Sequence, residues 1–430
     1  MNLLVALIVL SVLILVHELG HFLVAKWSGI RVLEFSMFMG PKLFSFRKGE
    51  TQYTLRLIPM GGYVKMEGEE TESDDPRAFS AQKVWKRFLV VLAGPVMNVA
   101  LAFLLMTVFI LSSGVMTNRL SEIGTNSPFT AAGIKVGDRL ISWNGKTIHD
   151  AKTDITMFLY GAKEAPVDIG WVSADGSRQE AEIQLFKTDP VYRLGFSVMI
   201  DGETGTNVID MVETDSPIQK AGLKQGDRIV KINDVEVTNR DEIFGYINDG
   251  RGEGNPAVTV TVHRNEQSII FRDIVPFVDT HYTIDADFEV EHPGFFGAMA
   301  ASGRYSASTV RMVLTTVGWM FTGQVSFKDV SGPVGIVGTI GSVVERGPSL
   351  LDKLLSMASL GAMLSLNLGV MNLIPFPALD GSKLVLLIIE KIRRKPLPPE
   401  KEGLISLIGF SLLIILLVAT LFNDIPRWLM

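Results

Sequence analysis

The sequence predicts a polytopic α-helical membrane protein with four transmembrane helices, a membrane-associated β-hairpin or small sheet, and two inserted α+β domains. Four segments are long and apolar enough to span a bilayer, a repeat of small-domain length lies between the second and the third, and alternating segments follow the first. Hydrophobic residues make up 47% of the 430-residue chain, which is high for a purely soluble protein, so part of it belongs in lipid.

Charge and composition exclude several classes of function. The formal net charge is −6 and no long basic tract is flanked by aromatic residues, so nothing indicates binding to nucleic acid. The chain has no cysteine, which excludes disulfides and thiolate metal ligands. Any zinc site must therefore use histidine, aspartate or glutamate side chains.

The first predicted span, residues 1–25, contains the pattern His-Glu-x-x-His. His17 and His21 are four residues apart and share one helix face, while Glu18 lies about 100° around the helix, within reach of a water at a bound metal. An ionised group at the bilayer centre costs roughly 2.5–3.5 kcal/mol, so such groups normally pair, line water or hold a metal. The pattern predicts a hydrolytic Zn2+ site with His17 and His21 as ligands and Glu18 as the catalytic residue.

Two other interpretations of this segment are weaker. The pattern is short and also occurs by chance in soluble helices, but its position in an apolar span favours function. Residues 1–27 could instead be a cleaved signal peptide, but they have no basic n-region and three polar side chains interrupt the apolar run.

The predicted loop at residues 26–87 contains a hairpin. Residues 43–46 and 52–57 alternate in polarity around a turn at residues 47–50, and an apolar, glycine-broken strand follows at residues 59–66. Such an edge could dip into the membrane and pair with an extended substrate. The candidate substrate-binding residues there are Gly61, Gly62, Tyr63 and Val64. A surface hairpin that only packs on the helices is an equal alternative.

The other predicted spans are residues 88–112, 354–381 with a broken end, and 404–422. The third contains several serine and asparagine residues, which suggests the interior of a bundle. Residues 26–87 hold eleven Lys and Arg, and the loop at residues 382–403 is also basic, so both are predicted to be cytoplasmic. Both termini and residues 113–353 then lie on the opposite face, which in a bacterium is the periplasm.

A repeat defines the two inserted domains, predicted at residues 113–200 and 201–290. Residues 127–141 are matched by residues 216–230, 89 positions later. In each copy a short helix ends at a glycine, a Gly-Asp turn follows, and an apolar strand leads to a hairpin signal. The repeat resembles tandem PDZ domains of the circularly permuted bacterial type.

The PDZ resemblance implies a carboxylate-binding loop at Leu194, Gly195 and Phe196, at the start of the second copy, where backbone N–H groups would receive a peptide C-terminus. No equally clear loop precedes the first copy. Either domain could instead be a size filter or spacer that binds no peptide. Residues 291–350 follow and predict amphipathic helices at the periplasmic interface, because Arg304 and Arg311 interrupt the apolar pattern.

The third span ends in residues 372–381, Asn-Leu-Ile-Pro-Phe-Pro-Ala-Leu-Asp-Gly. Pro375 and Pro377 cannot continue a regular helix, and unwound backbone at membrane depth must be buried in protein or line a cavity. A lone aspartate after a helix is usually a cap, but catalytic zinc needs three protein ligands and a water. Asp380 is therefore the candidate third ligand beside the two histidines.

Together these motifs resemble the site-2 protease family of zinc intramembrane metalloproteases, and most closely the RseP-type regulators of sigma-E. The match covers nearly the whole chain and includes both metal motifs, the two PDZ-like copies, Ser-Gly-Pro-Val-Gly at residues 331–335, and Gly94-Pro95 with Asn98. The resemblance implies cleavage of single-pass membrane proteins within or beside their spans, notably a truncated anti-sigma factor and remnant signal peptides.

The resemblance also implies a multi-pass protein of the bacterial inner membrane, in contact with lipid, whose active site lies nearer the cytoplasmic side. It implies substrate handling by Asn372, Pro375 and Pro377 and by the strand at residues 61–66. Asn98 or Asn372 could assist an oxyanion. Two rival classes are a non-catalytic PDZ membrane scaffold and a metal transporter, although the chain lacks the repeated half-domains of a transporter.

Overall fold

The structure is a computed structural model. It describes residues 2–69, 73–125, 127–188, 190–201, 204–213, 216–248, 257–326, 332–346, 349–395 and 399–429. Ser331, within the expected Ser-Gly-Pro-Val-Gly motif, lies outside these described residues.

The helices among the described residues fall into a set of long helices and a set of short ones within the β-rich part. They are α1 Asn2–Trp27, α2 Val84–Ser113, α3 Pro128–Ala131, α4 Ala151–Tyr160, α5 Pro217–Ala221, α6 Arg240–Asn248, α7 Phe295–Thr322, α8 Pro333–Arg346, α9 Leu350–Leu373, α10 Asp380–Arg393 and α11 Pro399–Leu429.

Four of the described helices are long and apolar enough to cross a membrane: Leu3–Trp27, Val84–Ser113, Leu350–Leu373 and Gly403–Leu421. They coincide with the four predicted spans within a few residues. The α2 helix lies at the centre of the bundle and packs against α1, α7, α9 and α10. The protein is therefore a membrane protein by the length and composition of its helices, combined with several β-sheets.

Glycines permit the closest helix contacts in this bundle. A Cβ atom at Gly20 of α1 would press on the carbonyl oxygen of Ala93 in α2 and lie 2.7 Å from Met97 Cγ. A Cβ atom at Gly369 of α9 would lie 3.0 Å from the carbonyl oxygen of Pro95. Small residues at such crossings let two helix backbones approach closely, which is a common packing mode in membranes.

The segment after the third span does not remain a loop. The predicted basic loop at residues 382–403 is partly helical, because α10 begins at Asp380 and runs to Arg393. Leu384 and Leu387 are buried and pack with Val91 of α2. Their spacing of three places both on the helix face that meets the bundle, and this apolar face is what makes the segment helical.

The described strands are β1 Val32–Lys48, β2 Thr51–Met66, β3 Val115–Ile123, β4 Arg139–Trp143, β5 Lys146–Thr147, β6 Val167–Val172, β7 Arg178–Ile183, β8 Phe186–Lys187, β9 Val191–Arg193, β10 Phe196–Asp201, β11 Thr204–Val212, β12 Arg228–Ile232, β13 Val235–Glu236, β14 Val258–Arg264, β15 Gln267–Ile274, β16 Phe277–Asp279, β17 Tyr282–Thr283 and β18 Ala286–Glu291.

The β1 and β2 strands form a bent antiparallel hairpin against α1. The part of β1 at residues 34–37 pairs with residues 52–55 and also with residues 62–65, so it lies between the two halves of β2. Gly40 and Gly61 have φ values of 84° and 75°, which permit the bends. The hairpin thus carries its last segment, residues 62–66, alongside α1.

The remaining strands form two lobes. The first lobe contains β3–β7 and β18 with α3 and α4, and its sheet has the order β18-β3-β4-β6-β7 with β5 paired to β4. The second lobe contains β10–β15 with α5 and α6, and its sheet has the order β10-β11-β12-β14-β15 with β13 paired to β12. Each lobe has its own apolar core, which includes Trp171 in the first and Ile229 in the second.

The repeated Ser-Pro sequence begins the same short helix in each lobe. The Ser127 side chain accepts a hydrogen bond from the Phe129 amide at the start of α3, and Ser216 accepts one from the Gln219 amide at the start of α5. Proline follows each serine at the first helical position, where its missing N–H is not needed. The local structure of the repeat therefore follows directly from its sequence.

The lobes are nested, which differs from the linear boundary expected at residues 200 and 201. The β10 strand begins at Phe196 and belongs to the second lobe, while β18, at residues 286–291, returns to pair with β3 of the first. The short pairs β8 with β17 and β9 with β16 join the lobes. A boundary drawn along the sequence does not reveal this nesting, because the pairing of strands, and not their order in the chain, decides which sheet a segment belongs to.

The predicted amphipathic segment at residues 291–350 contains two described helices, α7 and α8. The α7 helix packs on α2 and α9 with one face and on α4 of the first lobe with another. The Ser308 hydroxyl donates to the buried Asp154 carboxylate at 2.7 Å, and Arg311 donates to the same carboxylate at 3.3 Å. This helix therefore connects the first lobe to the bundle.

We predict opposite effects of two matched Gly→Ala substitutions. Gly20→Ala places a methyl group against α2 and should lower stability by about 1–3 kcal/mol. Gly318→Ala lies in α7 with open space around the new methyl group and should raise stability by about 0.5–1 kcal/mol. The thermal unfolding midpoint in detergent measures both, and an unchanged midpoint for Gly20→Ala would contradict the proposed α1–α2 packing.

Candidate metal centre

Three side chains with metal-binding atoms meet between α1, α2 and α10. His17 Nε2 lies 3.0 Å from Asp380 Oδ2 and 3.1 Å from His21 Nε2, and His21 Nε2 lies 3.4 Å from Asp380 Oδ2. The two histidines share a face of α1 because they are four residues apart. Of the described His, Asp and Glu residues, these three form the one group that could hold a metal ion.

The break in the chain after α9 brings Asp380 to this point. The α9 helix ends at Leu373, and α10 begins at Asp380. Ala378 has φ 77°, and a Cβ atom at Gly381 would press on the carbonyl oxygens of Leu373 and Ile374. The tight turn therefore depends on the two prolines ending the helix and on a glycine where the chain passes itself.

The tautomer of His21 is fixed by a backbone carbonyl. His21 Nδ1 lies 2.8 Å from the carbonyl oxygen of Val90 in α2. A carbonyl oxygen can only accept a hydrogen bond, so Nδ1 carries the proton and Nε2 keeps its lone pair. That lone pair points to the place where the other two ligand atoms converge. A donated N–H to a carbonyl is the usual support of a metal-binding histidine.

His17 has a similar support from Asn98, which is fully buried. Asn98 Nδ2 lies 3.1 Å from His17 Nδ1, and the Asn98 Oδ1 atom is buried with no partner among the described residues. Rotation of the Asn98 side-chain amide by 180° exchanges the positions of Oδ1 and Nδ2. In that orientation Oδ1 accepts a hydrogen bond from His17 Nδ1–H. This arrangement satisfies the unpartnered oxygen and leaves the His17 Nε2 lone pair free.

The backbone of α2 lies directly under the two imidazoles. A Cβ atom at Gly94 would lie 2.7 Å from His17 Nε2 and would also press on the His21 ring. Only glycine leaves room for both rings at this position. Gly94 belongs to a motif that the chain shares with the site-2 protease family, and these contacts explain why a glycine is needed there.

The donor set fits a tetrahedral zinc ion. With metal–ligand distances of 2.0–2.1 Å, two ligands of a tetrahedral zinc are about 3.3 Å apart. The three distances between Nε2 of His17, Nε2 of His21 and Oδ2 of Asp380 are 3.0–3.4 Å. Imidazole nitrogens and carboxylate oxygens are common zinc ligands, and a set of two imidazoles with one carboxylate leaves a fourth position open for water or substrate.

A cavity of about 290 Å³ opens beside the three ligand atoms. Glu18 lines it on the same helix as the two histidines, and Asn372 and Val64 line it from α9 and β2. Lys383 and Glu69 also line it and form an ion pair at 2.9 Å. The cavity thus brings Glu18 and the ligand atoms to one space where a peptide segment can lie.

The other candidate substrate-binding residues differ in their placement. The Gly62 backbone passes close to Glu18, because a Cβ atom there would lie 3.7 Å from Glu18 Cγ. Gly61 has φ 75° and bends the strand beside Met39. A Cβ atom at Gly61 would lie 3.2 Å from Met39 Cε. Pro375 and Pro377 do not line the cavity among the described residues, whereas Ala378 of the same turn does.

The Tyr63 side chain lies on the hairpin and not in the cavity. Its hydroxyl accepts a hydrogen bond from Arg56 Nη2 at 2.6 Å, and the same nitrogen donates to Glu34 at 3.0 Å. Burial raises the pKa of the Glu34 carboxyl, but polar neighbours and the positive charge of Arg56, which donates to it, outweigh burial, so the pKa lies below its ordinary value. This network stabilises the bend of the hairpin.

Leu194, Gly195 and Phe196 lie in the second lobe and not at the metal centre. Leu194 is buried, Gly195 has φ 80°, and Phe196 begins β10, an edge strand of its sheet. The sequence analysis missed Val90 and Ala378 at the metal site. Val90 acts through its carbonyl oxygen, which no side-chain pattern reveals, and Ala378 has no distinctive chemistry.

Comparisons with known proteins agree with this geometry. Residues 5–416 match the model of "Peptidase family M50". The chain is 31% identical to "Zinc metalloprotease RasP" of Shouchella clausii over 444 residues, covering 99% of both proteins. It is also 31% identical to "Regulator of sigma-E protease RseP" of Salmonella typhimurium over 459 residues, covering 99% of this chain and 98% of that protein.

We predict that Asn98→Ala lowers the affinity for zinc about 10- to 100-fold, because it removes the group that orients His17. Ser365→Ala is the matched control, since the buried Ser365 hydroxyl donates to the Asn98 carbonyl oxygen at 2.8 Å and does not touch His17. Competition with a zinc chelator measures both affinities. Equal losses in the two variants would contradict a specific role of the Asn98 amide.

Proposed function

The chain belongs to peptidase family M50 and is a zinc metalloendopeptidase, and we propose that it cleaves single-pass membrane proteins within or beside their membrane-spanning segments. The single observation that carries this proposal is the convergence of His17, His21 and Asp380 in a helix bundle with four candidate spans. The named relatives are proteases, so the scaffold and transporter alternatives are set aside.

We assign the metal ligands as His17 Nε2, His21 Nε2 and one oxygen of Asp380. A zinc ion held there supplies Lewis-acid polarisation of the scissile carbonyl and activation of a water for attack at neutral pH. Asn98 and the Val90 carbonyl hold the two imidazoles in the tautomer that binds metal. This contact on His17 favours a positioning role for Asn98 over the oxyanion role suggested by sequence.

Glu18 is the proposed general base and acid. It lines the cavity beside the ligand atoms, from the residue next to His17. Its carboxylate accepts a proton from the attacking water and then gives that proton to the leaving amine nitrogen.

The hairpin offers a place to hold an opened substrate. Residues 62–66 pair with β1 along one edge, and no described strand pairs with their other edge. Val64 and Met66 of this segment line the cavity together with Asn372 of α9. A substrate helix hides its carbonyls in internal hydrogen bonds, so it must unwind before cleavage, and main-chain pairing to residues 62–66 would stabilise the extended form.

We further propose that the two lobes are PDZ-like domains, with Leu194, Gly195 and Phe196 as a carboxylate-binding loop for peptide C-termini. Their position follows the end of α2, so the lobes and both termini lie on one side of the membrane, which we assign to the periplasm of a bacterial inner membrane. His17 and His21 lie in the second half of α1, nearer the hairpin. The active site is then nearer the cytoplasmic side.

The substrates follow from the same family relationship. A relative is named as a regulator of sigma-E. We propose a truncated anti-sigma factor and remnant signal peptides as substrates of this protein, since both are single-pass segments that remain after a first cut. Lipid surrounds the four spans, and the substrate enters from it.

We predict that Glu18→Gln retains zinc but loses turnover by at least about 100-fold, because the proton acceptor is gone and the ligands remain. Asp380→Asn should lower both zinc content and turnover, because a neutral amide is a poorer ligand than a carboxylate. The measurement incubates purified protein in detergent with a model single-pass substrate, with and without a chelator, and maps the products by mass spectrometry.

Glu182→Gln is the control for these variants, because it makes the same change on an exposed strand of the first lobe. It should keep zinc and turnover at wild-type values. Wild-type turnover in Glu18→Gln would remove Glu18 from the mechanism, and cleavage that survives complete removal of zinc would overturn the proposed metal chemistry.

A further inference from the structure

An ion pair lies in the wall of the cavity that holds the three ligand atoms. Lys383 Nζ lies 2.9 Å from Glu69 Oε1, and both side chains line this cavity together with Glu18. Glu69 follows the end of β2, and Lys383 lies in the first turn of α10. Among the described lining residues, Lys383 is the only lysine or arginine. The mechanism proposed above uses neither member of this pair.

The ion pair lies where the cavity opens to its surroundings. The Lys383 side chain is 48% exposed, whereas those of Asp380 and His17 are 17% and 9% exposed. From Asp380, α10 runs toward the start of α2, where Glu390 forms an ion pair with Arg87. Lys383 and its partner belong to none of the candidate spans. A fragment that leaves the cavity by this end therefore passes the ion pair.

Hydrolysis of a peptide bond creates two charges where there were none. The water oxygen forms a bond to the carbonyl carbon, the C–N bond breaks, and both protons of the water end on the leaving nitrogen. At neutral pH the products carry one carboxylate and one ammonium, so the total charge stays zero. Both ends arise beside side chains that are at most 17% exposed. A charge with so little contact with water needs a partner of opposite sign.

The ion pair offers such a partner to each new end. The Glu69 carboxylate can accept hydrogen bonds from an ammonium, and the Lys383 ammonium can donate to a carboxylate. When the pair opens, one ion pair and two unpaired ends become two ion pairs. The other carboxylates that line the cavity, Glu18 and Asp380, are assigned to proton transfer and to the metal. Glu69 is therefore the lining carboxylate that remains for a product.

We infer that the Glu69–Lys383 pair receives the two charged ends made by cleavage, with Glu69 binding the new ammonium and Lys383 the new carboxylate as the products leave. The ligands are the cut ends of an apolar peptide. This inference rests on the proposed cleavage of membrane segments, and it deepens that proposal by assigning the release of products to two named residues. An ion pair that only ties α10 to the chain after β2 would show no preference for charged peptide ends.

The test measures peptide binding to the full-length chain in detergent, with Glu18→Gln to prevent cleavage. The probe is a decapeptide of alanine, leucine and serine with an internal fluorescein label, and fluorescence anisotropy follows its binding. Its C-terminal amide keeps it from the proposed carboxylate loop of the second lobe. The free N-terminal ammonium should bind about fivefold more tightly than the acetylated form, the size expected of one partly exposed ion pair. Adding Glu69→Gln should remove this difference.

Lys383→Gln should change binding in two opposite ways. It frees Glu69 from its partner, so the preference for a free ammonium should increase. The acetylated peptide with a free carboxylate should lose about fivefold of its advantage over the amide, because the partner of the carboxylate is gone. Other sites that bind a carboxylate contribute equally with and without Lys383, so they cancel in this comparison.

Lys26 and Glu50 provide a matched control pair. Their charged atoms lie 2.8 Å apart, their side chains are 37% and 25% exposed, and neither lines the cavity. Lys26→Gln and Glu50→Gln should leave both preferences unchanged. Glu69→Lys separates the inference from loss of folding, because it should make the free ammonium bind more weakly than the acetylated form, and an unfolded chain shows no such reversal.

Two outcomes would overturn the inference: equal binding of the free and acetylated peptides to the Glu18→Gln protein, or a preference that survives Glu69→Gln. A carboxylate advantage unchanged by Lys383→Gln would refute the role of Lys383. Cleavage of a model membrane substrate by the wild-type chain is measured separately. Cleavage without a preference for charged ends refutes the role of the ion pair alone, whereas a preference without cleavage refutes the protease proposal.

Discussion

The bundle is organised around the approach of three ligand atoms, on His17, His21 and Asp380, to within 3.0–3.4 Å of one another. A zinc ion between them would balance the carboxylate charge and take up both nitrogen lone pairs. Bringing these three atoms together constrains the helices that surround them. The α1 helix must present one face, the chain must break after α9, and α2 must approach closely enough to support both imidazoles.

The central helix α2 is the platform on which this arrangement rests. Within about two turns it supplies the Val90 carbonyl to His21, the bare backbone of Gly94 beneath both rings, and the Asn98 amide to His17. These are supporting contacts, and they fix the direction in which each ligand presents its lone pair. A substitution in α2 can therefore disturb the metal centre without removing any ligand.

The β-rich parts deliver and hold the substrate in the proposed mechanism. The hairpin places Val64 and Met66 in the cavity, with the bend stabilised by hydrogen bonds among Glu34, Arg56 and Tyr63. The α7 helix packs on both the bundle and the first lobe. The nested lobes take their edge strands, β10 and β18, from distant parts of the chain.

The sequence by itself determined the four candidate spans and the repeat, and it singled out the three side chains that the fold brings together. Residues four apart on a helix must share a face, prolines must end a helix, and long apolar runs must be buried or lie in lipid, so these features are local. Only the tertiary structure decided the nested lobes, the contact of Asn98 with His17, and the placement of Tyr63 away from the cavity. Each depends on pairing between distant segments, as between Asp285 and Gly124, and the sequence pattern of either partner does not reveal such pairing.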